Sequence, residues 1–256
     1  MKTEGTTGSQ AAERLGDVPA AEAFVAGAEV AVVGFFQDPE EPAASEFLGV
    51  ARSIGDVSFA LSSSQEVLAH YNITENTVSL FRQVDDKRLD MKIPDEKKID
   101  ATRMSRFIEM NKLHLVTEYG PMTAVGLFNS AVRTHLLLIS DKASEGHADR
   151  VSVFREVAKL FRGKALFVVA DGGAQANKRL VAFFKLQRSQ LPALAAYHTE
   201  DEAQDALPLA RISASVVRDF CAAFLRDRRG GDDGGKDGSG DGGHVAADPP
   251  LSKVEL

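Results

Sequence analysis

Apolar residues along this chain gather into short runs that recur in the same order. Glu29-Val30-Ala31-Val32-Val33-Gly34-Phe35-Phe36 is a β-branched run of strand length, as expected of a strand buried on both faces. Val57–Leu61 and Val78–Phe81 follow it. The order returns further on with His135–Ile139, then Ala165–Ala170, then Ala193–Tyr197. Helical spacing fills the gaps, as in Val151, Phe154, Val157, Ala158 and Phe161. Each half closes on an amphipathic helix: Met104–Leu113, with Phe107 and Ile108 on one face, and Ala214–Leu225, with Val217, Phe220 and Phe224 similarly spaced. A strand–helix–strand alternation, then a strand pair and a last helix, predicts an α/β fold. Its repetition predicts two such domains in tandem, each a mixed sheet flanked by helices.

The polarity pattern sets the boundaries. Residues 1–16 read as a flexible lead, 17–115 as the first domain and 116–228 as the second, with the junction near Val116–Pro121. Residues 229–256 read as a disordered tail, because Gly230–Gly243 is almost wholly Gly and Asp. Such a composition buries too little apolar surface to offset its ordering entropy. The tail ends in Lys253-Val254-Glu255-Leu256, a close variant of the tetrapeptides read by the retrieval receptor of the endoplasmic reticulum. The start, Met1–Asp17, is polar and has no apolar run of the kind a secretory leader carries.

Composition narrows the chemistry. The formal net charge is −7, with no Lys/Arg stripe, which argues against a nucleic-acid partner. No apolar stretch reaches the roughly 18–20 residues of a membrane span. The chain has one cysteine, Cys221. A lone thiol makes no internal disulfide, no Cys-x-x-Cys pair and no Cys-rich zinc site. Its neighbours Val217, Phe224 and Leu225 at helical spacing predict a core position. The six histidines show no paired spacing for zinc, and neither metal nor cofactor is expected. Asp171-Gly172-Gly173 lacks the Gly-x-Gly-x-x-Gly pattern and reads as a turn. Asn72-Ile73-Thr74 fits the glycosylation sequon.

Several runs together carry a resemblance. Gly163-Lys164-Ala165-Leu166-Phe167-Val168-Val169-Ala170-Asp171, Phe183-Phe184-Lys185-Leu186 and Leu191-Pro192-Ala193 resemble the non-catalytic b′ domain of the protein disulfide isomerases. Ala23-Phe24, Phe35-Phe36 and His70-Tyr71-Asn72-Ile73 resemble the b domain of that family. The resemblance implies two thioredoxin-like domains without the catalytic ones, and binding of unfolded polypeptides through the second. It implies an apolar substrate pocket at Phe128, Leu137, Val151, Leu180 and Phe183, and a cis peptide bond at Pro192, with Asn76-Thr77 standing there in the first domain. It also implies docking onto the glycoprotein-dedicated disulfide isomerase. The docking positions are Glu202, Ala203, Gln204 and Asp205, where the family carries an acidic stretch with a tryptophan. This chain has no tryptophan, so the aromatic anchor is gone while Glu200 and Asp201 keep the local charge.

In a thioredoxin fold the catalytic Cys-x-x-Cys opens the helix after the central strand, where the helix N-terminus lowers the thiol pKa. The matching segments here are Gln37-Asp38-Pro39-Glu40-Glu41-Pro42 and Ser140-Asp141-Lys142-Ala143-Ser144. Neither holds a thiol. The expectation is a redox-inactive, chaperone-like binding protein of the endoplasmic reticulum lumen that is not an enzyme. The alternative is a lumenal structural adaptor without substrate binding.

Overall fold

The structure, a computed structural model, describes residues 11–94 and 100–229. It divides into two compact units, Met1–His114 and Leu115–Leu256. The Gly/Asp-rich tail and its terminal Lys253-Val254-Glu255-Leu256 lie outside the described residues.

In the first unit the elements are β1 (Glu13–Arg14), α1 (Val18–Gly27), β2 (Val30–Phe35), α2 (Pro42–Ser53), β3 (Ser58–Ser62), α3 (Gln65–His70), β4 (Thr77–Arg82), β5 (Lys87–Lys92) and α4 (Ala101–Asn111). The second unit repeats them as β6 (Val116–Glu118), α5 (Pro121–Asn129), β7 (Thr134–Ser140), α6 (His147–Ala158), β8 (Leu166–Asp171), α7 (Lys178–Phe183), β9 (Ala193–His198), β10 (Gln204–Pro208) and α8 (Ala214–Arg229). The sheet orders are β1-β3-β2-β4-β5 and β10-β9-β7-β8-β6. In each, three parallel strands are extended by two antiparallel ones. The repeat read from the apolar runs is therefore a repeat of topology.

The central strands β2 and β7 are buried at every position, because helices cover both faces and leave no polar side. In the first unit Val32, Phe47, Leu80 and Ile108 pack on the α2/α4 face. Val33, Phe35, Val67 and Leu68 pack on the other. In the second unit Leu136, Leu138, Phe154, Phe167, Val217 and Cys221 form the α6/α8 core, so Cys221 is buried as its spacing indicates.

The lead is shorter than residues 1–16. β1 pairs in parallel with β3, Glu13 opposite Ala60 and Arg14 opposite Leu61, and Ala12 and Leu15 are buried. The strand escapes a periodicity reading because its own two residues are exposed and charged, with the anchoring apolar pair just outside them. Asp17 then caps α1, its carboxylate accepting from the Ala20 N–H at 2.8 Å.

Candidate functional site

The two loops that would carry catalytic thiols are closed by hydrogen bonds. In the first unit Asn76, immediately before β4, accepts from the Gln37 N–H at 2.8 Å and donates to Glu41. Glu41 in turn accepts from the Asp38 N–H. In the second unit Ser140 ends β7 with no exposed surface, its hydroxyl 3.1 Å from both His147 Nδ1 and Arg150 Nε. Arg150 also donates to Ser144. The Ala143 N–H and the Arg188 guanidinium hold the Asp141 carboxyl below the usual carboxylate range. Polar side chains thus satisfy backbone groups where a nucleophile would need to be free.

Asp171-Gly172-Gly173 is part of the same closure. The Asp171 carboxylate accepts from the Lys142 and Gly173 N–H groups at 3.0 and 2.9 Å. A Cβ on Gly172 would fall 2.2 Å from Leu191 Cδ1, and one on Gly173 2.7 Å from Asp141 Oδ1, so a side chain at either position would have to displace the Leu191 or Asp141 side chain. The Leu191–Pro192 bond beside it is cis. Asn76 holds the corresponding place in the first unit without a cis bond.

The five expected pocket residues do not meet in one pocket. Strand alternation puts His135 and Leu137 on the face of β7 away from the α6/α8 core, paired with Tyr197 and Ala195 of β9. On that face Phe128 of α5 meets the His135 ring at 5.8 Å and the Tyr197 ring at 6.3 Å, and Phe183 of α7 meets Tyr197 at 5.6 Å. Phe128 and Phe183 are half-buried, whereas Leu137 and Leu180 are wholly buried. Val151 lies across the sheet, on α6, against the α6/α8 core. There it lines a separate cavity of about 180 Å³ with Val116, Val169 and the Glu118–Lys142 ion pair. Tyr197 and His135 are absent from the expected set, yet both follow from Leu137 by the period of two and by strand pairing.

Burial of His135 pushes its imidazole pKa down to about 4, against ring hydrogen bonding to the Leu127 and Val132 backbone, and among the described residues its Nε2 has no partner. The docking positions split in two. Glu202 takes a left-handed turn at φ 55° and Ala203 follows it, its N–H donating to Asp201. Gln204 and Asp205 open the edge strand β10, where the Asp205 carboxylate accepts from the Ala206 N–H at 2.8 Å. Asn72 is exposed after α3, at φ 57°, with Thr74 exposed and Ile73 buried.

Two tandem sheets of this topology, one with a cis-proline before its first antiparallel strand, define a double thioredoxin-like protein. A model of the thioredoxin-like domain family matches residues 36–223. Endoplasmic reticulum resident protein 27 of Bos taurus is 51% identical over 221 residues, 86% of this chain and 81% of that protein. Its Homo sapiens counterpart is 49% identical over 223 residues, 87% and 82% of the two chains. Protein disulfide-isomerase of Oryctolagus cuniculus is 34% identical over 219 residues, 85% of this chain but 42% of that one. Among solved structures, the bb fragment of ERp72 has a TM-score of 0.42 at 16% identity, covering 86% of this chain and 99% of that one. The chain belongs to the endoplasmic reticulum resident protein 27 family, within the disulfide isomerase superfamily, and is a protein of the endoplasmic reticulum. No helix among the described residues is long and apolar enough to cross a membrane.

Proposed function

We propose that the chain is a redox-inactive, non-enzymatic binding protein of the endoplasmic reticulum lumen that holds unfolded or misfolded polypeptides on its second unit. The observation that carries this reading is the aromatic group Phe128, Tyr197 and Phe183, with two half-buried rings flanking a buried one. Partly exposed aromatic rings over a rigid apolar floor suit capture of the apolar side chains an unfolded chain displays. Leu137 and Leu180 act as that floor rather than as contacts. A dithiol mechanism needs two thiols, and the chain has one. In the same reading the terminal Lys253-Val254-Glu255-Leu256 binds the retrieval receptor. The acidic stretch Glu200–Asp205 steers a basic partner, the glycoprotein-dedicated disulfide isomerase, without the aromatic anchor that interfaces favour.

A tryptophan-bearing unstructured peptide reports binding against no background, since the chain has no tryptophan. Saturable binding is expected, weakened roughly tenfold by Phe128→Ala and by Phe183→Ala, a hot-spot loss of about 1.4 kcal/mol. Val151→Phe, which adds no tryptophan, should leave it unchanged. The reverse pattern would move the site to the Val151 cavity. Absence of saturable binding would favour the structural adaptor, a reading supported by the burial of Leu137 and Leu180.

A further inference from the structure

A further cavity lies in the first unit, lined by none of the residues assigned to peptide binding. It holds about 410 Å³ between the C-terminal ends of α1 and α3 and the β4–β5 hairpin, within the range of about 300–1,000 Å³ typical of small-molecule sites. Its floor is aromatic. Tyr71 and Phe81 meet at 5.5 Å, and the Arg88 guanidinium sits 5.6 Å from both ring centroids. That guanidinium is pinned, Nη1 donating to the Tyr71 carbonyl at 2.9 Å and Nε to Asp90 at 2.8 Å. Among the described residues its Nη2 has no such bond. Gln83 is fixed too, its amide donating to the Ala26 carbonyl at 2.6 Å.

The charges on the rim are partly spent and partly free. Glu22 lies 3.1 Å from His70, which neutralises it only when that imidazole is protonated, and Arg82 is held by Asp85. Asp86 and Lys87 also line the cavity, and among the described residues neither has an ion-pair partner. The cavity therefore combines a preorganised aromatic floor, one free carboxylate, one free ammonium and an unused guanidinium N–H. We infer that it binds a small aromatic zwitterion, an aromatic amino acid. Its ring lies against Tyr71, Phe81 and the Arg88 plane. Its carboxylate meets Lys87 and Arg88 Nη2, and its ammonium meets Asp86, beside the negative ends of two helices.

Calorimetry and ligand-observed saturation-transfer NMR on the full chain, with L-tryptophan as probe and N-acetyl-L-tryptophanamide as its uncharged analogue, test this. L-tryptophan should bind saturably, and the amide at least tenfold more weakly. Lys87→Glu and Asp86→Asn sit on the exposed rim, and each should cost at least fivefold in affinity with unchanged circular dichroism. No saturation transfer at millimolar L-tryptophan would overturn the proposal. So would equal binding of the amide, or affinity that neither variant changes.

Discussion

Arg82 and Asp85 form a bidentate ion pair, Nε and Nη2 donating to the two carboxylate oxygens at 2.7 and 2.8 Å, with both side chains only 1% exposed. Arg82 Nη1 donates further to the Asn111 carbonyl at 3.0 Å, tying the end of β4 to the C-terminal end of α4. The guanidinium thus satisfies an orphan helix carbonyl as well as its carboxylate.

Removing one partner should be far worse than removing both. Asp85→Ala leaves a buried cation uncompensated, a loss of about 3–5 kcal/mol. Replacing both residues, as in Arg82→Met/Asp85→Leu, should recover much of it, because neither charge then needs solvation. Urea unfolding followed by circular dichroism measures the two. A loss below about 1 kcal/mol for Asp85→Ala would mean the pair is not buried in solution.

Cys221 should be inert in the folded protein. Desolvation pushes its thiol pKa up to about 12, so at pH 8 roughly one molecule in ten thousand carries the nucleophilic thiolate. Alkylation by iodoacetamide should be very slow in buffer and rapid in urea. A native rate near that of a free thiol would show that the α8 core opens around it.

The fold was legible where burial was complete and illegible where it was not. β2 and β7 announce themselves as unbroken apolar runs because both their faces are covered. β1 and β10 are edge strands whose residues, such as Glu13 and Asp205, meet solvent, so no period of two survives in their apolar pattern, whereas the edge strand β5 keeps one in Leu89 and Met91, set between charged residues. Charged residues there also blunt the free edges against pairing. The site divides along the same line. Phe128 and Phe183 came from a resemblance, and the geometry joins them through Tyr197. Val151 was grouped with them although it shares a helical stripe with Phe154 and Val157, which is enough to send it to the opposite face. Pairing across the sheet, which one strand's sequence does not encode, decided the rest.

Asn72 should carry a glycan when the chain is made in microsomes. The acceptor amide is exposed on a left-handed turn and Thr74 is exposed beside it, while buried Ile73 anchors the turn. Translation with microsomes behind a cleavable secretory leader should give one heavier species that collapses on deglycosidase treatment. Asn72→Gln and Thr74→Ala should both remove it. A mass unchanged between wild type and the two variants would leave the sequon unoccupied.

His135 should make the second unit sensitive to acid. Its ring is buried against Phe128, and desolvation lowers its pKa from 6.5 to about 4, with the nearby His198 and Arg133 charges acting in the same direction. Between pH 6.5 and 4 the unfolded chain therefore binds a proton that the folded chain refuses, so stability is full above pH 6.5 and falls as pH drops towards 4. A shift of this size corresponds to about 3 kcal/mol across the window. His135→Leu replaces the ring and its unpartnered Nε2 with an apolar group, and should remove that portion of the acid slope. The difference between wild type and variant isolates it from His114, whose pKa burial also lowers. Urea unfolding at intervals from pH 7.5 to 4 supplies the comparison. Parallel stability curves for the two proteins would mean the His135 ring is hydrated in the folded state, and with it the floor beneath Phe128.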